Sequence, residues 1–289
     1  MQFEDFIDTL RGALGRGQWN EAASILDRAD ALAENEEQRA LVAIYRAAVP
    51  VLRGDAGADL RILRANVVRR FTARHVALAA HYIVLDAVER RDVVTAERYL
   101  APLFDALRAF DDRWLMLASC DLRATVHSMR GDHRAALESG RVALDELDRY
   151  DGPNAAIMRA TLTHNLAYNC LAANELADAL RYATEALQVA TDLGRGDVLG
   201  QVLLTIAFAH LLLSQLDQAA SRAAEAAPHV EGTRMERYVH YVHGEVARRR
   251  GKVAEATAHF KRLEELYPDI PGVTDMLLSM NVAPFLLPE

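Results

Sequence analysis

The sequence is poor in most of the features that mark a specialised chain. Its 289 residues hold only two cysteines, Cys120 and Cys170, which excludes a disulfide framework. Met1-Gln2-Phe3-Glu4-Asp5 does not open a charged-then-apolar leader, so a secreted protein is not expected. No run reaches the roughly 18 apolar residues that a membrane helix needs. The most apolar stretch, Val198 to Leu213, is broken by Gly200, Gln201, Thr205 and His210. Positive charge is also in deficit: the formal charge is -8, which argues against nucleic acid as a general partner, since phosphate binding runs on cationic charge. Strand signals are few, because Val and Ile are scattered and no Asn-Gly hairpin turn separates alternating apolar runs. What remains is a cytoplasmic globular chain, 51% apolar and 26% charged, with enough apolar residues to build a core.

Helical periodicity punctuated by short Gly, Asn, Asp or Pro turns is present throughout, and it repeats. Gly131-Asp132-His133-Arg134-Ala135-Ala136-Leu137, with Ala143 further on, aligns without a gap on Asn174-Glu175-Leu176-Ala177-Asp178-Ala179-Leu180, with Ala186. The same frame fits Gly17 to Ala22 with Ala29, Ser214 to Ala219 with Ala226, and Gly251 to Ala256 with Phe260. Each such turn follows a helix of about twelve residues, which predicts stacked helix-turn-helix units.

These residues resemble the tetratricopeptide repeat family, in which a Gly-Asp-like turn joins helix A to helix B and small residues mark helix B. Alanine there lets helix B approach helix A closely. Pro268 stands where that family commonly ends a repeat. Repeats are expected to begin near Phe3, Ala40, Ala77, Leu117, Ala160, Gly200 and Arg237. The period of roughly 37 to 43 residues exceeds the family's 34 and looks like the repeats of bacterial regulatory and sensor proteins. Repeat two departs from the pattern: Asp59 and Asn66 stand where Ala is expected, and Pro50 falls inside helix A.

The resemblance implies an all-α, right-handed superhelical solenoid of about seven repeats over residues 1–268, with its concave face lined by A helices. Residues 269–289 would form a capping helix, N-capped by Thr274, and an apolar, Pro-bounded tail from Asn281 to Glu289. That tail is expected to pack on the last repeat, or else to enter a groove or a second subunit. A homodimer through a terminal repeat or this tail is thus one expectation.

Enzyme chemistry finds little support. Histidines number ten, yet His240-x-x-His243 with Glu245, or His164 near Cys170, lacks further ligands at a familiar spacing, so no metal and no cofactor are expected. Both cysteines sit at positions that pack on A helices, where burial blunts a thiol. His127 and His210 share one inward repeat position and read as packing. Gly15-Arg16-Gly17 and Gly194-Arg195-Gly196 lack the Lys-Ser/Thr ending of a phosphate loop and read as turns. The basic runs Arg61 to Arg74 and Arg248 to Lys252 read as solvated faces, or as docking patches for an acidic partner.

Carried over residue by residue, the family's groove positions fall on His81, Tyr82 and Leu85 in repeat three and on Asp121 and Thr125 in repeat four. Repeat five contributes His164, Asn165 and Tyr168, and repeat six Gln201, Thr205 and Phe208. Repeat seven contributes Tyr238, Tyr241, Glu245, Arg248 and Arg249. Aromatic rings beside amides suit an extended peptide, though Leu85 and Phe208 equally suit packing between A helices. The family's lysine-based clamp for a terminal carboxylate is not recognisable. The expected function is a non-enzymatic adaptor that binds a protein or peptide in the groove. The alternative is a receptor that senses a peptide or metabolite and acts on a separate transcriptional or signalling partner.

Overall fold

The structure is a computed structural model that describes residues 3–15, 18–55, 58–69, 71–150, 152, 155–194, 196–233, 235–266 and 272–279. Among these residues there is no strand, and the helices follow one another in pairs. Contacts divide the chain into two compact units, Met1–Asn154 and Ala155–Glu289. The boundary expected at 268 lies outside the described residues, as do Pro268 and the apolar tail.

The first unit contains four pairs: α1 (Phe3–Gly15) with α2 (Trp19–Leu32), α3 (Glu36–Leu52) with α4 (Arg61–Arg69), α5 (Ala73–Glu89) with α6 (Val93–Leu107), and α7 (Arg113–Met129) with α8 (His133–Leu147). The second contains α9 (Ala155–Ala172) with α10 (Leu176–Asp192), α11 (Gly196–Leu212) with α12 (Leu216–Val230), and α13 (Glu236–Arg249) with α14 (Val253–Leu266). A short α15 (Val273–Ser279) packs on α14. The first helix of each pair is helix A and the second helix B.

One turn chemistry makes these pairs. After each A helix from α3 to α13 a residue enters the left-handed region, and the next N–H reaches back to a carbonyl five residues earlier, satisfying a group the helix end leaves orphaned. Asp92 does so to Ala87 at 2.8 Å, Asp132 to His127 at 2.9 Å, Glu175 to Cys170 at 2.8 Å, Gln215 to His210 at 2.8 Å and Lys252 to Ala247 at 2.9 Å. The left-handed residue is Gly54 (φ 71°), Gly131 (φ 76°) or Gly251 (φ 75°) after α3, α7 and α13, but Arg91 (φ 57°), Asn174 (φ 61°) and Ser214 (φ 59°) after α5, α9 and α11. Asp92 and Asp132 then cap helix B, their carboxylates accepting from the N–H groups of Thr95 at 3.0 Å and Ala135 at 3.1 Å.

Helix B packs through its small residues. Ala22, Ala96, Ala136, Ala179, Ala219 and Ala256 stand at one position of the frame, and all are buried. In the last pair the volumes are redistributed: a Cβ on Gly244 would lie 2.3 Å from the Phe260 ring, so the missing side chain on helix A makes room for the large one on helix B. Repeat two differs because its link is longer. Asn66 takes the buried place and folds its amide onto the Ile62 carbonyl at 2.9 Å. Asp59 lies outside α4, not at an alanine position, and its carboxylate accepts the Arg61 N–H at 3.0 Å. Pro50 sits in the last turn of α3, which continues to Leu52.

The capping helix is present, but Thr274 is not its N-cap. It lies inside the first turn, and its hydroxyl donates to Glu264 of α14, whose other oxygen accepts the Gly272 N–H at 2.8 Å.

The turn geometry predicts opposite effects from opposite exchanges. Gly131→Ala should cost about 1 kcal/mol, since no heavy atom lies within 4 Å of the added Cβ and the penalty is conformational alone. Arg91→Gly and Ser214→Gly should gain roughly 0.5–1 kcal/mol by relieving the same strain. Urea midpoints of the three variants against the parent check the signs; a loss in all three would show that side-chain contacts dominate these turns.

Candidate functional site

In the first unit the A helices bring polar groups together across long sequence distances. The Arg11 Nε donates to the Tyr45 hydroxyl at 3.0 Å, and its terminal nitrogen donates to the Asp112 carboxylate at 2.6 Å. The other Asp112 oxygen accepts the Leu115 N–H at 2.9 Å, so one carboxylate both caps α7 and holds α1. Tyr82 meets Tyr45 edge-on with centroids 6.3 Å apart, and His81 meets Tyr82 at 5.3 Å. The His81 Nδ1 lies 3.1 Å from the Ser119 hydroxyl. His81 and Tyr82 are therefore covered, at 8% exposure each, and do not form an open groove wall. Burial pushes the His81 imidazole down to about 4, against a smaller opposing pull from Asp112, and pushes the Tyr82 phenol up. Leu85, Asp121 and Thr125 are half-buried, and the Thr125 hydroxyl donates back to the Asp121 carbonyl at 3.0 Å.

Arg11, Tyr45 and Ser119 were not expected from the sequence. Arg11 does carry a signal, since it stands six residues before Gly17 just as Glu245 stands six before Gly251.

In the second unit α9, α11 and α13 contribute the corresponding face. His164, Asn165 and Tyr168 on α9 and Gln201 on α11 are half-buried. The Thr205 hydroxyl donates to the Gln201 carbonyl at 3.1 Å and lies 3.3 Å from the His164 Nε2, which ties α9 to α11. Burial pushes the His164 imidazole down to about 4, although the residue keeps some solvent contact and water screens part of that effect.

The helices α11 and α13 also carry an aromatic cluster. Phe208 and Tyr241 stack with centroids 5.6 Å apart and planes 9° apart, and Tyr238 meets Phe208 edge-on at 6.1 Å. Phe208, Tyr241 and Thr205 are each 0% exposed. Their faces are spent on each other because neighbouring A helices pack through the same positions that a wider groove would leave open.

At the end of α13 the Glu245 carboxylate is buried and accepts from Arg248 Nε at 2.7 Å, the Arg248 terminal nitrogen at 2.6 Å and Arg249 Nε at 2.6 Å. Arg249 also donates to the Leu211 carbonyl at 2.7 Å. Arg250 pairs with Asp217, and the Lys252 ammonium lies 3.0 Å from the Glu255 carboxylate. The second basic run thus divides: Arg248 and Arg249 serve the buried Glu245, while Arg250 and Lys252 are exposed and make surface pairs, as a solvated face would.

Three histidines cluster elsewhere in this unit. The His240 and His259 Nδ1 atoms are 3.3 Å apart, and the His243 ring stacks on His259 at 5.3 Å. Burial first, then mutual charge for His240 and His243, holds all three below the ordinary imidazole range. Among the described residues no group of three or more His, Cys, Asp or Glu side chains is arranged to hold a metal ion. His127 and His210 are half-buried, and His210 bonds Gln215 across the turn at 2.6 Å, so it belongs to the turn and not to the core.

Both cysteines are free and buried. Cys120 lines a cavity of about 410 Å³ with Phe110, Met116 and Val142, but burial pushes its thiol up, opposite to what a nucleophile needs. Among the described residues no helix is long and apolar enough to cross a membrane.

Known proteins resemble this chain in structure alone. No family model matches it, and no curated relative matches it. A Rap protein complexed with competence and sporulation factor superposes with a TM-score of 0.73 at 12% identity, over 96% of this chain and 79% of that one. Aspartyl phosphate phosphatase F from Bacillus subtilis gives 0.62 at 12% identity, over 98% and 80%. A Rap conjugation gene regulator of the plasmid pLS20, in complex with a peptide, gives 0.59 at 13% identity, over 98% and 81%. The chain shares with them an all-α fold of tetratricopeptide-like helical repeats.

The His81 environment predicts an acid-sensitive stability. A folded-state pKa below the unfolded value of about 6.5 means that the unfolded chain binds the proton more tightly, so stability is full above that value and falls toward pH 4. At pH 5 the loss from this one group is about 2 kcal/mol. Urea unfolding of the parent and of His81→Gln at pH 7.5 and pH 5 should show a smaller loss in the variant; equal losses would place the acid sensitivity in other groups.

Proposed function

We propose that this chain is a non-enzymatic peptide-binding protein of the tetratricopeptide-like class, and that the A-helix face of its second unit is the receptor surface. The observation that carries the reading is the set of half-buried polar side chains His164, Asn165, Tyr168 and Gln201 on α9 and α11, two A helices joined through Thr205 and His164. Amide and hydroxyl groups suit the backbone of an extended segment, and the stack of Phe208 on Tyr241 holds α11 against α13. The partner is a protein or peptide and not nucleic acid, in keeping with the net charge of -8. Free, buried thiols are in keeping with the cytoplasm.

Between adaptor and sensor, the sensor reading has one observation in its favour. Two structural neighbours were solved holding a peptide or peptide-like factor, and one of those is described as a gene regulator. A receptor of this kind would pass ligand binding to a separate regulatory partner. Asp121 and Thr125 on α7 remain candidate contacts in the first unit.

The test begins with peptides selected on the parent protein from a phage-displayed random dodecapeptide library, then synthesised with a fluorescein label. Asn165→Ala combined with Tyr168→Ala should weaken such a peptide by roughly 30-fold, at about 1 kcal/mol per lost contact, while far-ultraviolet circular dichroism stays unchanged. Unchanged anisotropy titrations would reject this face as the receptor surface.

A further inference from the structure

Resting on the peptide-binding reading above, the geometry points to a specific subsite at the end of the second unit: Tyr241 and Arg248 together hold a carboxylate of the bound peptide. Tyr241 stands ten residues before its turn residue Gly251, as His164 stands ten before Asn174, so both occupy one position of the repeat. Its side chain is fully buried, yet its hydroxyl has no hydrogen-bond partner. A buried phenol gives up hydration and normally recovers it through a partner, so an orphaned one marks a donor kept for something else. The ring cannot turn away to find another acceptor, because Phe208 stacks on one side and Phe260 lies 6.5 Å away.

The nearest carboxylate is already committed. Glu245 accepts three N–H groups from two guanidinium groups, which leaves the cluster with one surplus positive charge in a chain that is strongly negative overall. Arg249 is fixed twice, to Glu245 and to the Leu211 carbonyl. Arg248 is bound to Glu245 alone, and its side chain is 26% exposed. Arg248 can therefore swing out while Arg249 keeps Glu245 neutralised. A carboxylate entering by that path pairs with Arg248, cancels the surplus charge and gives the Tyr241 hydroxyl its acceptor. Acidic side chains and a free chain end share this chemistry.

The experiment uses the fluorescein-labelled dodecapeptide selected on the full-length parent. Removing only the hydroxyl, Tyr241→Phe should weaken binding about tenfold while the thermal midpoint stays level or rises, because an orphaned donor is lost. Replacing each acidic residue of the peptide by its amide, and separately amidating its C-terminus, identifies the carboxylate. The change that weakens binding to the parent should weaken binding to Tyr241→Phe no further, since both remove one interaction. Equal affinity of parent and Tyr241→Phe overturns the subsite, and so does full additivity between the two changes. If Tyr241→Phe is silent while Asn165→Ala with Tyr168→Ala abolishes binding, the face stands and only the subsite falls. If both are silent, the peptide binds elsewhere and both readings fall.

Discussion

The structure depends on one constraint, the left-handed residue that closes the A helices from α3 to α13. It ends the helix, returns two backbone donors to orphaned carbonyls and sets the direction in which helix B leaves. Everything downstream inherits its register. The residue five positions later is buried against helix A, and it is alanine in six pairs because a larger side chain there would separate the two helices. The constraint acts through the backbone, so Arg91 and Ser214 satisfy it as Gly131 does, at some cost in strain.

This explains which parts of the fold the sequence made legible. The frame was readable where glycine or asparagine marked the turn and alanine followed, and each expected repeat start falls within an A helix, although α3, α5, α7, α9 and α11 begin four or five residues before it. It was least readable at Arg91, whose identity carries no turn signal and which is recognised only from the neighbouring Asp92 and Ala96. Two local readings failed for different reasons. Thr274 looked like an N-cap, but Glu264 of the preceding helix claims its hydroxyl, and Asp59 stood where alanine was expected, but the longer link leaves it before α4, bonded locally to the Arg61 N–H.

Exposure of the candidate residues was not legible in the sequence. His164, Asn165 and Tyr168 are half-buried, whereas Phe208, Tyr241 and Glu245, expected at the same kind of position, are covered. Periodicity fixes the direction a side chain takes from its helix; it does not fix how closely the next A helix approaches. Contacts such as Arg11 to Asp112 join residues 101 apart in sequence, and no local pattern encodes them.

The two units use one repeat position in opposite ways. In the first, the position six residues before the turn carries Arg11, whose charge is matched by Asp112, a carboxylate further fixed by its role as an N-cap. In the second, the same position carries Glu245, and two guanidinium groups converge on it. In the first cluster Arg11 is held by the fixed Asp112 anion and gives its Nε donor to Tyr45. Two cations for one anion leave the second cluster with charge to spare beside an unpartnered hydroxyl. Desolvated charge that exceeds its counter-charge is costly to hold, and an incoming anion recovers that cost where a balanced pair would have to be broken first. Of these two clusters, Glu245 with its two guanidinium groups is the one whose own charges leave an anion something to neutralise.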